Sequence, residues 1–508
     1  MKKIIVIPLD ERPCNYYFNQ YMTKGMPYEV MAPPMEYMGN KKTPGNINKL
    51  IEWLTKESKD ADGLVIALDT ILYGGIVPSR LHHDTKNELI KRINVLKEIK
   101  KNNPKVLIYG YQLLMRNPKY SSSEEEPDYY ETHGREIHLY GVYEHKKDLG
   151  IITEEETKDF ERIKKILPIE YLEDYVNRRN INGEINDDFL NLVSEEVIDF
   201  AIIPQDDSSP YGFTALDQIK TRKMIEDKNL EFKVYMYPGA DEVTNTLLSR
   251  MILNFENKKP TVYLKYSSVG DGQIIPLYED RYLAETIKYQ VLAAGGIIID
   301  DFKNADLVLL VNTPPEKMRE AGSINIRTIE YDSFRTLVEF VEFADYCINF
   351  INKPVIIGDV AYANGGDIHL FKLLKQKNLL YKVSAYAGWN TSSNTLGTAI
   401  PQGIFSWLYP NRKEIIEFLA LRYVEDIGYC SIVRSRIAKT LVKPNHYFLL
   451  DGKQGLVVQQ IKKELEMFIK DNLVLKNIKP EIKKIYSPWN RMFETGLEVK
   501  IKWEFKEK

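Results

Sequence analysis

The residues best suited to chemistry lie in the run Phe200-Ala201-Ile202-Ile203-Pro204-Gln205-Asp206-Asp207-Ser208-Ser209-Pro210-Tyr211-Gly212. The apolar stretch 197–203 has the length and β-branched content of a buried strand. It is predicted to stop at Pro204 and to present two adjacent carboxylates at its carboxyl end, in a Ser/Pro/Gly turn. In α/β proteins ligands gather at that end of the sheet. Two acids in one partly dry pocket cannot both ionise freely, so one holds its proton to higher pH while the other stays an anion. Such a pair supplies a proton donor and an anion at neutral pH. The competing reading has Asp206 and Asp207 filling a turn or capping a helix predicted over 214–227.

Other loops that follow predicted strands carry groups suited to a polyhydroxylated ligand. The first strand delivers Pro8-Leu9-Asp10-Glu11-Arg12-Pro13, and the third delivers Leu68-Asp69-Thr70 and then Tyr73-Gly74-Gly75. The fourth leads into Tyr111-Gln112 and Arg116-Asn117, and the sixth into Tyr237-Pro238-Gly239-Ala240-Asp241-Glu242. Planar polar groups beside aromatic faces are what sugar hydroxyls and pyranose rings need. Phosphate binding would instead ask for a Gly-rich loop against a helix amino terminus, and neither a P-loop nor GxGxxG is present. Taken one at a time, each acid or Tyr fits a turn or cap equally well.

Further along, Gly358-Asp359-Val360-Ala361-Tyr362-Ala363-Asn364-Gly365-Gly366-Asp367 and Tyr386-Ala387-Gly388-Trp389-Asn390-Thr391 also follow predicted strands. Trp389 beside Asn390 suits stacking on a sugar face while bonding its rim. The alternative makes Trp389 a domain-interface anchor and Ser393/Asn394 the cap of a helix over 396–407. Histidine gives little: His82 and His83 are sequence neighbours, His133 and His138 stand at i,i+5, and HExxH is absent. Asp10, Asp69, Asp206 and Asp207 suit a hard divalent cation chemically, but no spacing specifies a metal site, and no cofactor is expected.

The elements that must position these loops alternate between short β-rich runs and helical stretches, the mark of an α/β protein with mainly parallel sheets. Strands are predicted at 4–9, 28–32, 63–68, 106–110, 197–203, 234–237 and 261–266, with helices at 47–56, 87–101, 214–227 and 242–255. Long polar loops after the strands are usual in catalytic barrels, so residues 1–265 are expected to form a TIM-like barrel, complete or incomplete. The charged stretch 128–196 reads as a helical insertion. Ser121-Ser122-Ser123-Glu124-Glu125-Glu126-Pro127, just before it, reads either as a solvated linker or as a helix start. Residues 266–410 suggest a smaller doubly wound, Rossmann- or flavodoxin-like domain, with strands at 297–299, 307–311, 355–357 and 382–385. Residues 411–508 form a third α/β segment with β alternation at 497–503. No internal repeat is evident.

At 508 residues, 44% hydrophobic and 28% charged, the chain is long enough for two or three domains with substantial cores. A net charge of −3 gives no footprint for nucleic acid or an anionic membrane. Met1-Lys2-Lys3 before Ile4-Ile5-Val6-Ile7 resembles a secretory signal only briefly, because Asp10-Glu11-Arg12 interrupts it. No apolar run reaches membrane-spanning length. Cys14, Cys347 and Cys430 lie far apart, so no disulfide framework or zinc knuckle is indicated. A cytoplasmic protein is expected, with a small carbohydrate as partner and no nucleic acid or membrane. A homo-oligomer is compatible with the sequence.

At Ile202–Asp207 the chain resembles retaining β-N-acetylhexosaminidases, in which an apolar barrel strand runs straight into two adjacent acids. Over its full length it is similar to a bacterial family catalogued as domain of unknown function 4127. That likeness lies in Ile7-Pro8-Leu9-Asp10-Glu11-Arg12-Pro13, Leu72-Tyr73-Gly74-Gly75, Pro204-Gln205-Asp206-Asp207-Ser208-Ser209-Pro210, Tyr237-Pro238-Gly239-Ala240-Asp241-Glu242 and Gly388-Trp389-Asn390-Thr391. The hexosaminidase resemblance implies a retaining exo-glycoside hydrolase that releases a terminal β-linked 2-acetamido sugar, N-acetylgalactosamine or N-acetylglucosamine. It implies that Asp206 orients the substrate acetamide, which acts as nucleophile, while Asp207 is the acid and then the base. Asp10, Arg12, Asp69, Tyr73, Asp241, Trp389 and Asn390 are the candidate sugar contacts. Rival readings are a divalent-metal-dependent hydrolase or transferase, and a non-catalytic carbohydrate- or metabolite-binding protein.

Overall fold

The computed structural model describes residues 1–503 other than Asp271, Ile324, Asn325, Arg327 and Lys476. The chain divides into two compact units. The first comprises Met1–Glu11, Pro27–Thr244 and Tyr278–Asp280; the second comprises Arg12–Met26, Asn245–Leu277 and the chain from Arg281 onward.

The first unit is organised by strands that are apolar on both faces. In β1 (Lys2–Ile7), the side chains of Ile4, Ile5, Val6 and Ile7 are all fully buried. Continuous burial of this kind requires helices on both sides of a parallel sheet. The remaining strands are β2 (Tyr28–Met31), β3 (Gly63–Ala67), β4 (Leu107–Tyr111), β5 (Phe200–Gln205) and β6 (Val234–Pro238). All pairs are parallel, in the order β2-β1-β3-β4-β5-β6. Since β1 pairs with both β2 and β3, the sheet reverses direction there, and β2 and β6 are its two edges. The barrel expected for residues 1–265 is therefore not what forms. A barrel needs each strand beside its sequence neighbours and the last against the first, whereas this order is that of an open doubly wound sheet.

Strand β5 differs from its sequence expectation at both ends. It begins at Phe200, because the N–H groups of Val197 and Ile198 turn back to the Leu192 carbonyl and close the preceding helix. It continues through Pro204, which lacks an N–H but still accepts from the Leu114 N–H at 3.2 Å through its carbonyl. Between β4 and β5 lie the helices Tyr130–Asp148, Glu154–Ile166 and Ile169–Ser194. They enclose a core of their own around Tyr130, Ile137, Phe160, Ile163 and Tyr175.

The second unit contains β7 (Thr261–Tyr266), β8 (Ile297–Ile298), β9 (Leu307–Asn312), β10 (Arg319–Glu320), β11 (Val355–Asp359), β12 (Tyr362–Ala363) and β13 (Ala385–Ala387). Its main sheet is parallel, in the order β13-β11-β9-β7-β8; β10 and β12 form a separate short ladder. Counted along this unit alone, the main sheet also follows a 2-1-3-4-5 order, so both units share a topology that the sequence did not reveal as a repeat. The antiparallel pair β14 (Ile478–Tyr486) and β15 (Gly496–Trp503) completes it. The helix Ser392–Leu408 is capped by the Thr391 side chain, which accepts from the Asn394 N–H; the expected Ser393/Asn394 cap is displaced by one turn position. Among the described residues no helix is long and apolar enough to cross a membrane.

The sheet ends of the second unit hold a dense polar cluster. Asp359 accepts from Asn312 Nδ2 (2.8 Å), from Tyr386 Oη (2.8 Å) and from the Asp367 N–H (2.7 Å). Arg335 pairs with Asp367 at 2.7 Å, and Arg422 pairs with Asp426 at 3.0 Å. Burial pushes Asp359 up to about 7, reinforced by the nearby Asp367 charge, and burial likewise lifts Asp426 to about 7.

These raised carboxyls contribute a stability that falls as pH rises. Each such group keeps its proton in the folded state while the unfolded chain, with ordinary values near about 4, has lost it. Their contribution to stability is therefore full below about pH 4 and is lost as pH rises towards about 7. The expected outcome is a Tm several degrees higher near about pH 5 than near about pH 8, as an order-of-magnitude shift. Differential scanning calorimetry of wild type and Asp359→Asn checks it, because the variant removes one titrating group and flattens the dependence.

Candidate active site

Five loops of the first unit leave the carboxyl ends of β1, β3, β4, β5 and β6, and local packing holds each in place. After β3 the chain enters the short helix Leu68–Tyr73. Thr70 Oγ1 donates towards the carbonyls of Pro8 (2.7 Å) and Leu9 (2.8 Å), tying this helix to the loop that carries Asp10. Gly74 ends the helix at φ +88°, where a Cβ would meet the Gly45 nitrogen at 2.6 Å and the Pro44 side chain at 2.7 Å. The Leu72-Tyr73-Gly74-Gly75 motif is thus a backbone requirement: glycine lets the chain reverse into the turn Pro78–Arg80. Similarly, Gly239 after β6 leaves room for the Glu242 carboxylate, which folds back to accept from the Ala240 N–H at 2.9 Å.

Asp206 and Asp207 follow β5 directly, and Asp207 adopts φ +45°. This left-handed residue breaks the alternation that would send neighbouring strand side chains to opposite faces. As a result both carboxylates reach one guanidinium: Arg116 Nη1 lies 3.0 Å from Asp207 Oδ2 and 3.7 Å from Asp206 Oδ2. Asp206 Oδ2 also accepts from Arg80 Nη2 at 2.8 Å.

Two further acids share these arginines. Arg116 Nε donates to Glu126 Oε1 (2.7 Å) and its Nη2 to Glu125 Oε2 (3.1 Å). Arg80 Nη1 donates to Glu125 Oε2 (3.2 Å) and to Glu126 Oε1 (3.3 Å). Two cations thus face four carboxylates. Asp207, 19% exposed, is pushed up to about 7 by burial and by the adjacent Asp206 charge, against the pull of Arg116 and Arg80. One proton on Asp207 at neutral pH relieves part of the excess negative charge.

The helical insertion fixes the Arg116 segment from behind. Tyr175 Oη donates to the Arg116 carbonyl at 2.8 Å, Asn117 Nδ2 donates to the hydroxyls of Tyr130 (3.1 Å) and Tyr175 (3.0 Å), and His138 Nδ1 lies 2.9 Å from the Asn117 carbonyl. Asn182, from the longest insertion helix, donates to the Ser79 carbonyl at 2.8 Å beside Arg80.

In front of the network lies a small, partly open pocket. Asp69, Tyr73, Arg80, Gln112, Arg116 and Asp206 supply most of its polar lining. Asp69 is 3% exposed; its Oδ2 accepts from the Leu113 N–H at 3.0 Å, and burial pushes it up to about 7. Tyr73 Oη stands beside the Gln112 amide, and among the described residues neither Tyr73 Oη nor Gln112 Oε1 completes a hydrogen bond of normal length.

Of the residues expected from the sequence, Asp69, Tyr73 and Asp206 line this pocket, and Asp207 joins it through Arg116. Asp10 and Asp241 are buried at neighbouring strand ends of the same unit, and with Asp69 they act electrostatically on Tyr111. Arg12, Trp389 and Asn390 belong to the second unit. There the Arg12 guanidinium lies 4.6 Å from the Trp489 ring centroid, and the Trp389 indole donates to Thr398 Oγ1 at 3.2 Å with its ring edge-on to Phe18. The Asn390 carbonyl accepts from the Asn364 N–H at 2.8 Å.

Sequence reasoning missed Arg80 and misread Glu125 and Glu126. The run 121–127 is neither a solvated linker nor a helix start: Glu126 is fully buried and the following helix begins at Tyr130. A triple-Glu run usually signals a solvated face, and only the tertiary partners Arg80 and Arg116 reverse that. Among the described residues no three His, Cys, Asp or Glu side chains are grouped as a metal site needs.

Removing one cation from this network strands a buried acid. Arg116→Met leaves Glu126 with a single shared arginine, and the expected loss is about 3–5 kcal/mol of stability. Glu126→Gln keeps a hydrogen-bonding oxygen towards Arg116 and is expected to cost less. Chemical denaturation of the two variants beside wild type measures the difference.

No curated protein matches the chain. The likeness of the Asp206-Asp207 segment to hexosaminidases therefore has no counterpart in these comparisons. One family profile, described as protein of unknown function DUF4127, matches residues 4–498. With both sheets and the whole pocket inside that span, the chain belongs to the DUF4127 family.

Proposed function

We propose that the chain is a retaining exo-glycoside hydrolase that releases one terminal β-linked 2-acetamido sugar, N-acetylgalactosamine or N-acetylglucosamine. The observation that carries this reading is the unequal pair at the end of β5. Asp207 holds a proton up to about 7, while its neighbour Asp206 is bound by Arg80 at 2.8 Å. An acid and an anion side by side are what substrate-assisted cleavage requires.

The charge of the site supports an uncharged substrate. The donors of Arg80 and Arg116 point into Glu125, Glu126, Asp206 and Asp207, and the local balance is negative. A phosphate or carboxylate ligand would meet repulsion there; hydroxyl and amide groups would meet acceptors.

In this scheme Asp206 accepts the acetamido N–H and turns the acetamide oxygen towards the anomeric carbon. That oxygen forms the new bond to carbon as the glycosidic C–O bond breaks, and Asp207 gives its proton to the departing oxygen. Water then attacks the cyclic intermediate, loses a proton to Asp207 and restores the acetamide. Turnover should fall as pH rises through about 7, where Asp207 loses the proton it must donate.

A panel of nitrophenyl glycosides tests the reading. The expected result is turnover of 2-acetamido β-glycosides, refusal of plain β-galactosides, and a loss of roughly 10²–10⁴-fold in Asp207→Asn. Equal turnover of a plain β-galactoside, or an unaltered rate in Asp206→Ala, contradicts assisted catalysis. Saturable sugar binding without turnover of any member favours a binding protein instead.

A further inference from the structure

The pocket has a second polar wall that the Asp206/Asp207 scheme does not use. It is built by Asp69 and Tyr73, one turn apart on the helix Leu68–Tyr73, and by Gln112 at the exit of β4. All three are buried; the Gln112 amide stands against Tyr73 Oη, and among the described residues neither Tyr73 Oη nor Gln112 Oε1 completes a hydrogen bond of normal length. Buried polar atoms left without partners are costly, and a ligand arriving with matching groups would satisfy them.

We propose that Asp69, Tyr73 and Gln112 form a binding subsite for an uncharged ligand bearing adjacent hydroxyl or amide groups. The sugar identity of that ligand rests on the glycoside hydrolase reading; the subsite itself does not. Gln112 Oε1 accepts a ligand N–H or O–H, and Tyr73 Oη donates or accepts. Asp69, with Oδ2 committed to the Leu113 N–H, takes part as a neutral acid, donating a hydrogen bond to a ligand oxygen. The charged and titratable groups around it are Tyr73 on its own helix, Arg80 on the following turn, Tyr111 on β4, and Arg116 and Asp206 across the pocket. None of these offers Asp69 a direct ion pair among the described residues, and burial dominates its protonation.

Met115 also lines the pocket, so its methyl group can report occupancy without any assumption about turnover. The full-length protein is labelled with [¹³C-methyl]methionine and the Met115 resonance is assigned by its absence in Met115→Leu. It is then titrated with N-acetylgalactosamine, N-acetylglucosamine, glycerol, acetamide and inorganic phosphate. The proposal expects saturable shifts with neutral probes and none with phosphate. Tyr73→Phe and Gln112→Ala should each weaken binding about five- to tenfold. Wild-type affinity should fall about tenfold between about pH 6 and about pH 8 as the acid form is depleted, while Asp69→Asn stays flat.

If glycerol or acetamide bind in this manner and neither acetamido sugar does, the subsite stands and the glycoside hydrolase reading falls. If no neutral probe shifts Met115, if phosphate binds more tightly, or if the Tyr73 and Gln112 variants bind as wild type does, the subsite is overturned. The remaining methionine signals of each variant verify that it is folded.

Discussion

Two guanidinium groups shared among four carboxylates are the constraint on which the first unit's loops depend. Arg80 comes from the turn after β3, Arg116 from the loop after β4, Glu125 and Glu126 from the approach to the helical insertion, and Asp206 and Asp207 from the end of β5. Glu126, which is fully buried, finds its donors in both Arg80 and Arg116. Burying an ion cluster is costly unless every cation is well paired, so its geometry fixes the loops more surely than it stabilises the fold. The excess of negative charge has one outlet, which is to keep a proton, and Asp207 is the carboxyl placed to do so.

The open sheet explains why a pocket exists here at all. In a 2-1-3-4-5 order the loops on either side of the reversal diverge, and the crevice between them is where doubly wound proteins bind ligands. Asp10 and Asp69 follow the two strands that flank this reversal, β1 and β3. Tyr73, Gln112 and Asp206 extend the polar surface along β3, β4 and β5. The five-stranded sheet of the second unit follows the same order, and polar side chains tie its strand ends together. Ser267 Oγ donates to Asn312 Oδ1 at 2.9 Å, and Arg335 bridges Asn312 and Asp367.

Strand positions were legible because strands buried on both faces in parallel sheets are written as unbroken apolar runs; β1, β3 and β7 fall within a residue or two of their expected spans. Strand order was not legible. Nothing local in Ile4-Ile5-Val6-Ile7 says that it will pair with both Tyr28–Met31 and Gly63–Ala67, and that pairing separates an open sheet from a barrel. At the site, Asp206 could be found because it follows β5 directly, and Asp69 and Tyr73 because they lie on the short helix that follows β3. Arg80 and Glu126 could not, because they are joined by contacts 46 residues apart in the chain. Asp207 lay between these cases: the sequence located it, but only its φ of +45° turns it towards Arg116.

The central claim is that Asp207 keeps a proton up to about pH 7 because it is buried and because Asp206, held by Arg80, is charged beside it. Carboxyl-selective ¹³C NMR of aspartate-labelled protein measures this directly. A resonance that disappears in Asp207→Asn should titrate near about 7 and should move well towards the ordinary range, about 4, in Asp206→Asn. A resonance for Asp207 that titrates near about 4 in wild type, or that does not respond to the loss of its neighbour's charge, contradicts the account.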